Sequence, residues 1–198
     1  MSIFLRAKHW QIFLLLFVIP FILQTVMMGI LFSNLIHNPN PALVFDYFKF
    51  FPLIMILIMG TLFSWFWAVA INLQKLVPAD VKMKVTKFKV FFFIPIVYLL
   101  LIVTAVPIIA SSQFTNFKDP SPIFFAFAFI IPLHLFCMFC IFYCLYFVAK
   151  TFKTVELQRE VTFSDFTGEF FLIWFFFIGV WIIQPKINKL VESPVDII

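Results

Sequence analysis

The stretch from Ile123 to Ala149, IFFAFAFIIPLHLFCMFCIFYCLYFVA, carries no charged side chain over 27 residues. The hydrocarbon of a bilayer is about 30 Å thick, so a crossing helix needs roughly 20 apolar residues. This run exceeds that length. In lipid every peptide group must find its hydrogen bond inside its own segment, which predicts a helix. Three more runs pass the same test: Trp10 to Ser33, Phe50 to Leu73 and Val90 to Ala110.

The whole chain agrees with its longest run. Of 198 residues, 64% are hydrophobic, 12% are charged and 33 are Phe. A soluble domain of this size buries only about 70% of the surface its unfolded chain exposes. The remainder would be apolar patches that water does not tolerate. Disorder, a secreted disulfide scaffold and a nucleic-acid module are excluded on composition. The expected fold class is an all-α integral membrane protein with four transmembrane helices and a short fifth C-terminal hydrophobic segment, in a single membrane domain over 1–198.

That fifth segment, Phe170 to Ile183, has 14 residues between Glu169 and Gln184-Pro185-Lys186. Runs of about 10 to 14 residues are more often interfacial or re-entrant than spanning. Extending it back to Phe166 reaches the minimum for a crossing and draws Glu169 to the membrane edge, where the helix dipole favours a carboxylate. Both readings stand, with the re-entrant one preferred. Ahead of it, Thr154 to Val161 is expected to prolong the fourth helix. Thr162 or Ser164 then caps the next, with Asp165 in its first turn.

Basic residues divide the loops into two sets. Arg6 and Lys8 precede the first run, Lys75, Lys82, Lys84, Lys87 and Lys89 lie between the second and third, and Lys150, Lys153 and Arg159 follow the fourth. The other two loops hold only Lys49 and Lys118. Loops rich in Lys and Arg stay in the cytoplasm, so the N-terminus is expected there. The first run is longer than a signal-peptide core of about 7 to 15 residues and lacks a small-residue cleavage site, so it is read as retained. Lys82, Lys84, Lys87 and Lys89 are candidate contacts for anionic lipid, each contributing about 1 kcal/mol near a charged surface.

Ionisable and polar groups at membrane depth are the functional candidates. His134 lies near the middle of the fourth run, and Gln24 is the expected partner for a neutral imidazole on a neighbouring helix. With Thr104 and Asn72 these two make the set a solute pathway would need. Cys137, Cys140 and Cys144 share an arc with His134, but positions ten apart are about 15 Å apart along a helix. Ligands of one zinc ion converge to about 2.0–2.3 Å from it. The cysteines are therefore read as small hydrophobes. Glu156, Glu160, Asp165 and Glu169 read as a solvated face, Trp10, Tyr47 and Tyr146 as an aromatic belt. No phosphate-binding, metalloprotease or nucleophile-elbow motif occurs, and no cofactor or metal is expected.

Two segments, LRAKHWQIFLLLFVIPFILQ (Leu5 to Gln24) and VELQREVTFSDFTGEFFLIWFFFIGVWIIQPKINKL (Val155 to Leu190), resemble a set of uncharacterised small bacterial inner-membrane proteins. The resemblance implies the bacterial inner membrane and a C-terminal elbow and fifth run that act as one unit. It implies no activity, ligand or catalytic residue. The leading functional expectation is a non-enzymatic accessory or interaction subunit, with the bilayer and a second copy or another membrane protein as partners and no nucleic acid. The alternatives are a small transporter or channel lined by Gln24, Asn72, Thr104 and His134, and, third, an intramembrane enzyme.

Overall fold

The computed structural model describes residues 3–38, 51–113 and 121–192. Lys49, Lys118 and Tyr47 lie outside them. Four helices are long and apolar enough to cross a bilayer, no strand occurs among the described residues, and the chain is an all-α, multi-pass membrane protein.

A single turn, α1 (Ile3–Arg6), leads into α2 (His9–His37). Helix α3 starts at Phe51–Trp67 and continues through a wide π turn, Ala68–Asn72, and a tight last turn, Leu73–Leu76. Helix α4 is Val85–Gln113 and α5 is Ser121–Leu157. Two shorter helices follow, α6 (Phe163–Trp174) and α7 (Phe176–Glu192). Each spanning helix covers the described residues of the apolar run read from the sequence and overshoots it by a turn or so. Helix α5 overshoots most: its 37 residues reach about 55 Å at 1.5 Å per residue, nearly twice the hydrocarbon thickness. Its last turns, with Lys150, Lys153 and Glu156, therefore stand outside the hydrocarbon at what is here called the basic end.

Local chemistry explains the irregular turns. Pro20 has no N–H to give back to the preceding turn, and a wide turn at Leu14–Val18 precedes it. At Ala68–Asn72 widening frees backbone carbonyls, and nearby amides take them up: Asn72 Nδ2 donates to Ala68 O (3.1 Å) and Gln74 Nε2 to Ala70 O (2.8 Å). Helix α5 stops at Gln158, whose φ of 49° is left-handed. Its side chain secures that exit by donating to Val155 O (2.7 Å) and, across to α3, to Leu76 O (3.1 Å).

The fifth apolar run is folded in two. Helices α6 and α7 meet at Phe175, where φ −87° and ψ 55° depart from helix, and they pack back on each other. On one arm Trp174 meets Phe142 of α5 edge-on at 4.6 Å. On the other, Phe177 contacts Phe13 and Phe17 of α2 at 5.2 and 5.1 Å. The tip thus reaches the first third of α2. Both outer ends return to the basic end. Trp174, Phe175, Phe177 and Ile178 at the tip are exposed. Close approach is possible because Gly179 has no side chain: a Cβ there would overlap the backbone carbonyl of Leu172.

The packed core lies at the basic end. It joins Leu5, Ile12, Trp65, Phe66, Phe88, Phe152, Phe166 and Ile183 from all seven helices. Towards the other end the helices open out. In Ile19–His37 the buried residue is Pro20, while Phe21, Ile22, Val26, Ile30, Phe32 and Ile36 face outward.

Candidate functional site

A helix of one turn leaves almost all its carbonyls without partners inside the helix. In α1 these are met from the far end of the chain. Gln184, fully buried on α7, donates from Nε2 to Phe4 O and Ala7 O, both at 2.9 Å. Its Oε1 accepts from Trp65 Nε1 of α3 at 2.7 Å. One turn further along α7, Asn188 Nδ2 donates to Leu5 O (2.8 Å) and Ala7 O (3.2 Å). The two amides occupy one helix face because they are four residues apart. Gln184 thereby uses both its amide hydrogens and its oxygen.

Beside this clasp sits a group of four charges from three helices. Lys153 Nζ of α5 donates to Glu156 Oε2 at 2.7 Å and to Glu169 Oε1 of α6 at 2.9 Å. Lys186 of α7 approaches Glu156 at 3.7 Å and Glu169 at 4.0 Å. Two cations and two anions balance. Glu169 is buried, which corrects the reading of the acidic residues as a solvated face. It is compensated by Lys153 rather than by a helix dipole at the membrane edge. Partly desolvated carboxylates of this kind are held by their partners, and losing one partner strands the other charge.

The elbow between α5 and α6 is a cap. Asp165 accepts from Arg159 Nη2, from Thr162 N and from Thr162 Oγ1, each at 2.8 Å. The Arg159 bond first, and then the Thr162 bonds, hold its carboxyl at about 2, below the usual 3.8. A carboxyl depressed by folding supports the fold fully above its ordinary value and loses that support as pH falls towards the depressed one. The Thr162 amide should therefore keep its hydrogen-exchange protection at pH 5 and lose it between about pH 4 and 2. In Asp165→Ala that acid step should vanish, leaving weak protection throughout; a variant that kept the wild-type profile would rule the cap out.

The four polar candidates from the sequence do not form one lining. Thr104 Oγ1 donates back along α4 to Leu100 O (2.9 Å) and Leu101 O (3.0 Å). Asn72 serves the wide turn of its own helix. His134 Nδ1 lies 3.2 Å from Tyr98 Oη of α4, so its observed partner is Tyr98 where the sequence pointed to Gln24, which is partly buried on α2. A cavity of about 560 Å³ between α3 and α4 is lined by none of the four. Cys137, Cys140 and Cys144 are buried in the packed face of α5. Among the described residues no three His, Cys, Asp or Glu side chains group as metal ligands. All four lysines of the set, Lys82, Lys84, Lys87 and Lys89, are exposed. Lys87 also lies over the rings of Phe91 and Tyr143, at 5.5 and 5.1 Å from their centroids.

Sequence reasoning passed over Gln184, Asn188 and Trp65. The available signal was a pair of amides four apart on a helix face otherwise made of Val180, Ile187 and Leu190. What the arrangement does chemically is fasten: every group in it donates, accepts or neutralises within the chain. No protein-family model, curated protein or solved structure matches this sequence.

Proposed function

We propose that the chain is a multi-pass protein of a bacterial inner membrane with its N-terminus in the cytoplasm. It acts without catalysis, as an accessory or interaction subunit whose apolar outer face meets a second copy or another membrane protein. The distribution of lysine and arginine supports the orientation. The observation that carries the role is the division of the molecule: at the basic end Gln184, Asn188, Lys153, Glu156, Glu169 and Lys186 are spent on internal bonds, while Ile19–His37 turns large apolar side chains outward. Helix association in lipid draws on such packing surfaces.

A photo-crosslinking residue at Ile30 or Phe32 tests this in native membranes. The expected result is one protein adduct of defined mass from both positions and none from the buried Phe66. Lipid adducts alone would refute the interaction role. A reporter placed after Ile198 should read cytoplasmic, as four crossings and a returning hairpin require; a periplasmic signal would refute the orientation or the hairpin.

A further inference from the structure

The cavity between α3 and α4, with Phe4 of α1 also in its wall, has a defined length and a largely apolar lining. Its volume is about 560 Å³, inside the range of about 300–1,000 Å³ typical of small-molecule sites. On α3 its lining extends from Ile56 to Trp67, about 16 Å of helix. That equals the apolar depth of one leaflet, about half of 30 Å. The floor at Gly60 is open, since a Cβ there would meet no atom within 4 Å.

One end of the groove lies towards the lysines. Trp67 packs on Phe92 and Phe93 at 5.1 and 5.7 Å and on Phe88 at 6.4 Å. Phe93 is a lining residue, and Lys89 is one turn before it on the same face of α4. Lys89 is exposed, and among the described residues no carboxylate pairs with it. The slot therefore offers an apolar channel of acyl length with a cation at its headgroup end, between helices, where basic pockets bind lipid headgroups.

We propose that this groove holds one acyl chain of an anionic phospholipid whose phosphate lies at Lys89. The inference rests on the membrane reading of the chain and is independent of its interaction role; failure of the crosslinking test would leave it standing.

Native mass spectrometry of the full-length protein in detergent, offered phosphatidylglycerol or phosphatidylcholine, tests it. The wild type is expected to retain one phosphatidylglycerol, preferred about fivefold over phosphatidylcholine, the worth of one lysine near an anionic surface. Gly60→Leu fills the groove and should abolish retention of either lipid. Lys89→Gln should keep an acyl chain but lose the preference, whereas Lys82→Gln should change neither. Phosphatidylglycerol brominated in its chain should quench tryptophan emission in the wild type and much less in Trp67→Phe, a readout that stands even where Gly60→Leu fails to fold. Equal retention of the two lipids, wild-type retention in Gly60→Leu, or quenching untouched by Trp67→Phe would each overturn the proposal.

Discussion

Gly179→Ala is expected to destabilise the protein and open its C-terminal hairpin, although the same change in an unobstructed helix is stabilising. Alanine is favoured over glycine by about 0.8–1.0 kcal/mol in a helix interior. At Gly179 the added methyl would occupy the position of the Leu172 carbonyl oxygen. The obstacle is backbone, which cannot rotate away as a side chain can. Overpacking typically costs about 1–3 kcal/mol, so the steric term outweighs propensity. Relief comes only by parting α6 from α7, which would draw Lys186 away from Glu156 and Glu169 and loosen Gln184 from Phe4 and Ala7. Gly168 supplies the matched control, because a Cβ on that α6 residue would meet nothing within 4 Å. Gly168→Ala should therefore raise the thermal midpoint in detergent and Gly179→Ala should lower it. Labelling of a cysteine placed at Asn188 should rise in the second variant alone, provided Asn188→Cys by itself is folded. If both alanines raised the midpoint, the close hairpin crossing would be wrong.

The contrast between these glycines marks what could be read before the fold was known. Both are single glycines in apolar or mixed runs, and nothing local distinguishes them. The spanning helices were legible because lipid imposes a threshold of length and composition that α2 to α5 satisfy on their own. The cap at Thr162 and Asp165 was legible for the same kind of reason, since its bonds span three residues. The hairpin was visible only as an ambiguity. Its break at Phe175 has neither proline nor glycine and follows from packing against α2 and α5. His134 drew attention as an ionisable group at depth, yet which helix supplied its partner depended on how α4 and α5 pair. The charge group joins Lys153 to Glu169, 16 positions away, and to Lys186 through their shared carboxylates. Composition showed the lysines and glutamates, but only the return of α7 brings them together.

The largest single loss should come from Gln184→Leu, which keeps approximate bulk and removes three hydrogen bonds. Its partners lose a bond each: the fully buried Trp65 indole N–H and the half-buried carbonyls of Phe4 and Ala7. An unsatisfied buried group costs about 1–3 kcal/mol. Ala7 O retains Asn188 as a donor, so the penalty falls mainly on Trp65 and Phe4, and a total of about 3 kcal/mol is expected. The first sign should be release of α1, because that single turn has too few internal bonds to persist alone. Hydrogen exchange of residues 3–8 should accelerate before the thermal midpoint of the bundle moves. A double-mutant cycle with Trp65→Phe separates the hydrogen bond from simple loss of packing. Trp65→Phe removes the donor that Gln184→Leu strands, so the second substitution should cost less in the presence of the first, with a coupling of about 1–2 kcal/mol. Strictly additive losses, or unchanged exchange at residues 3–8, would mean that α1 is held by its apolar contacts and that the Gln184 amide is incidental. With coupling present, α1 and α7 are fastened by one side chain, and the N-terminal turn, the C-terminal hairpin and α3 move as a unit.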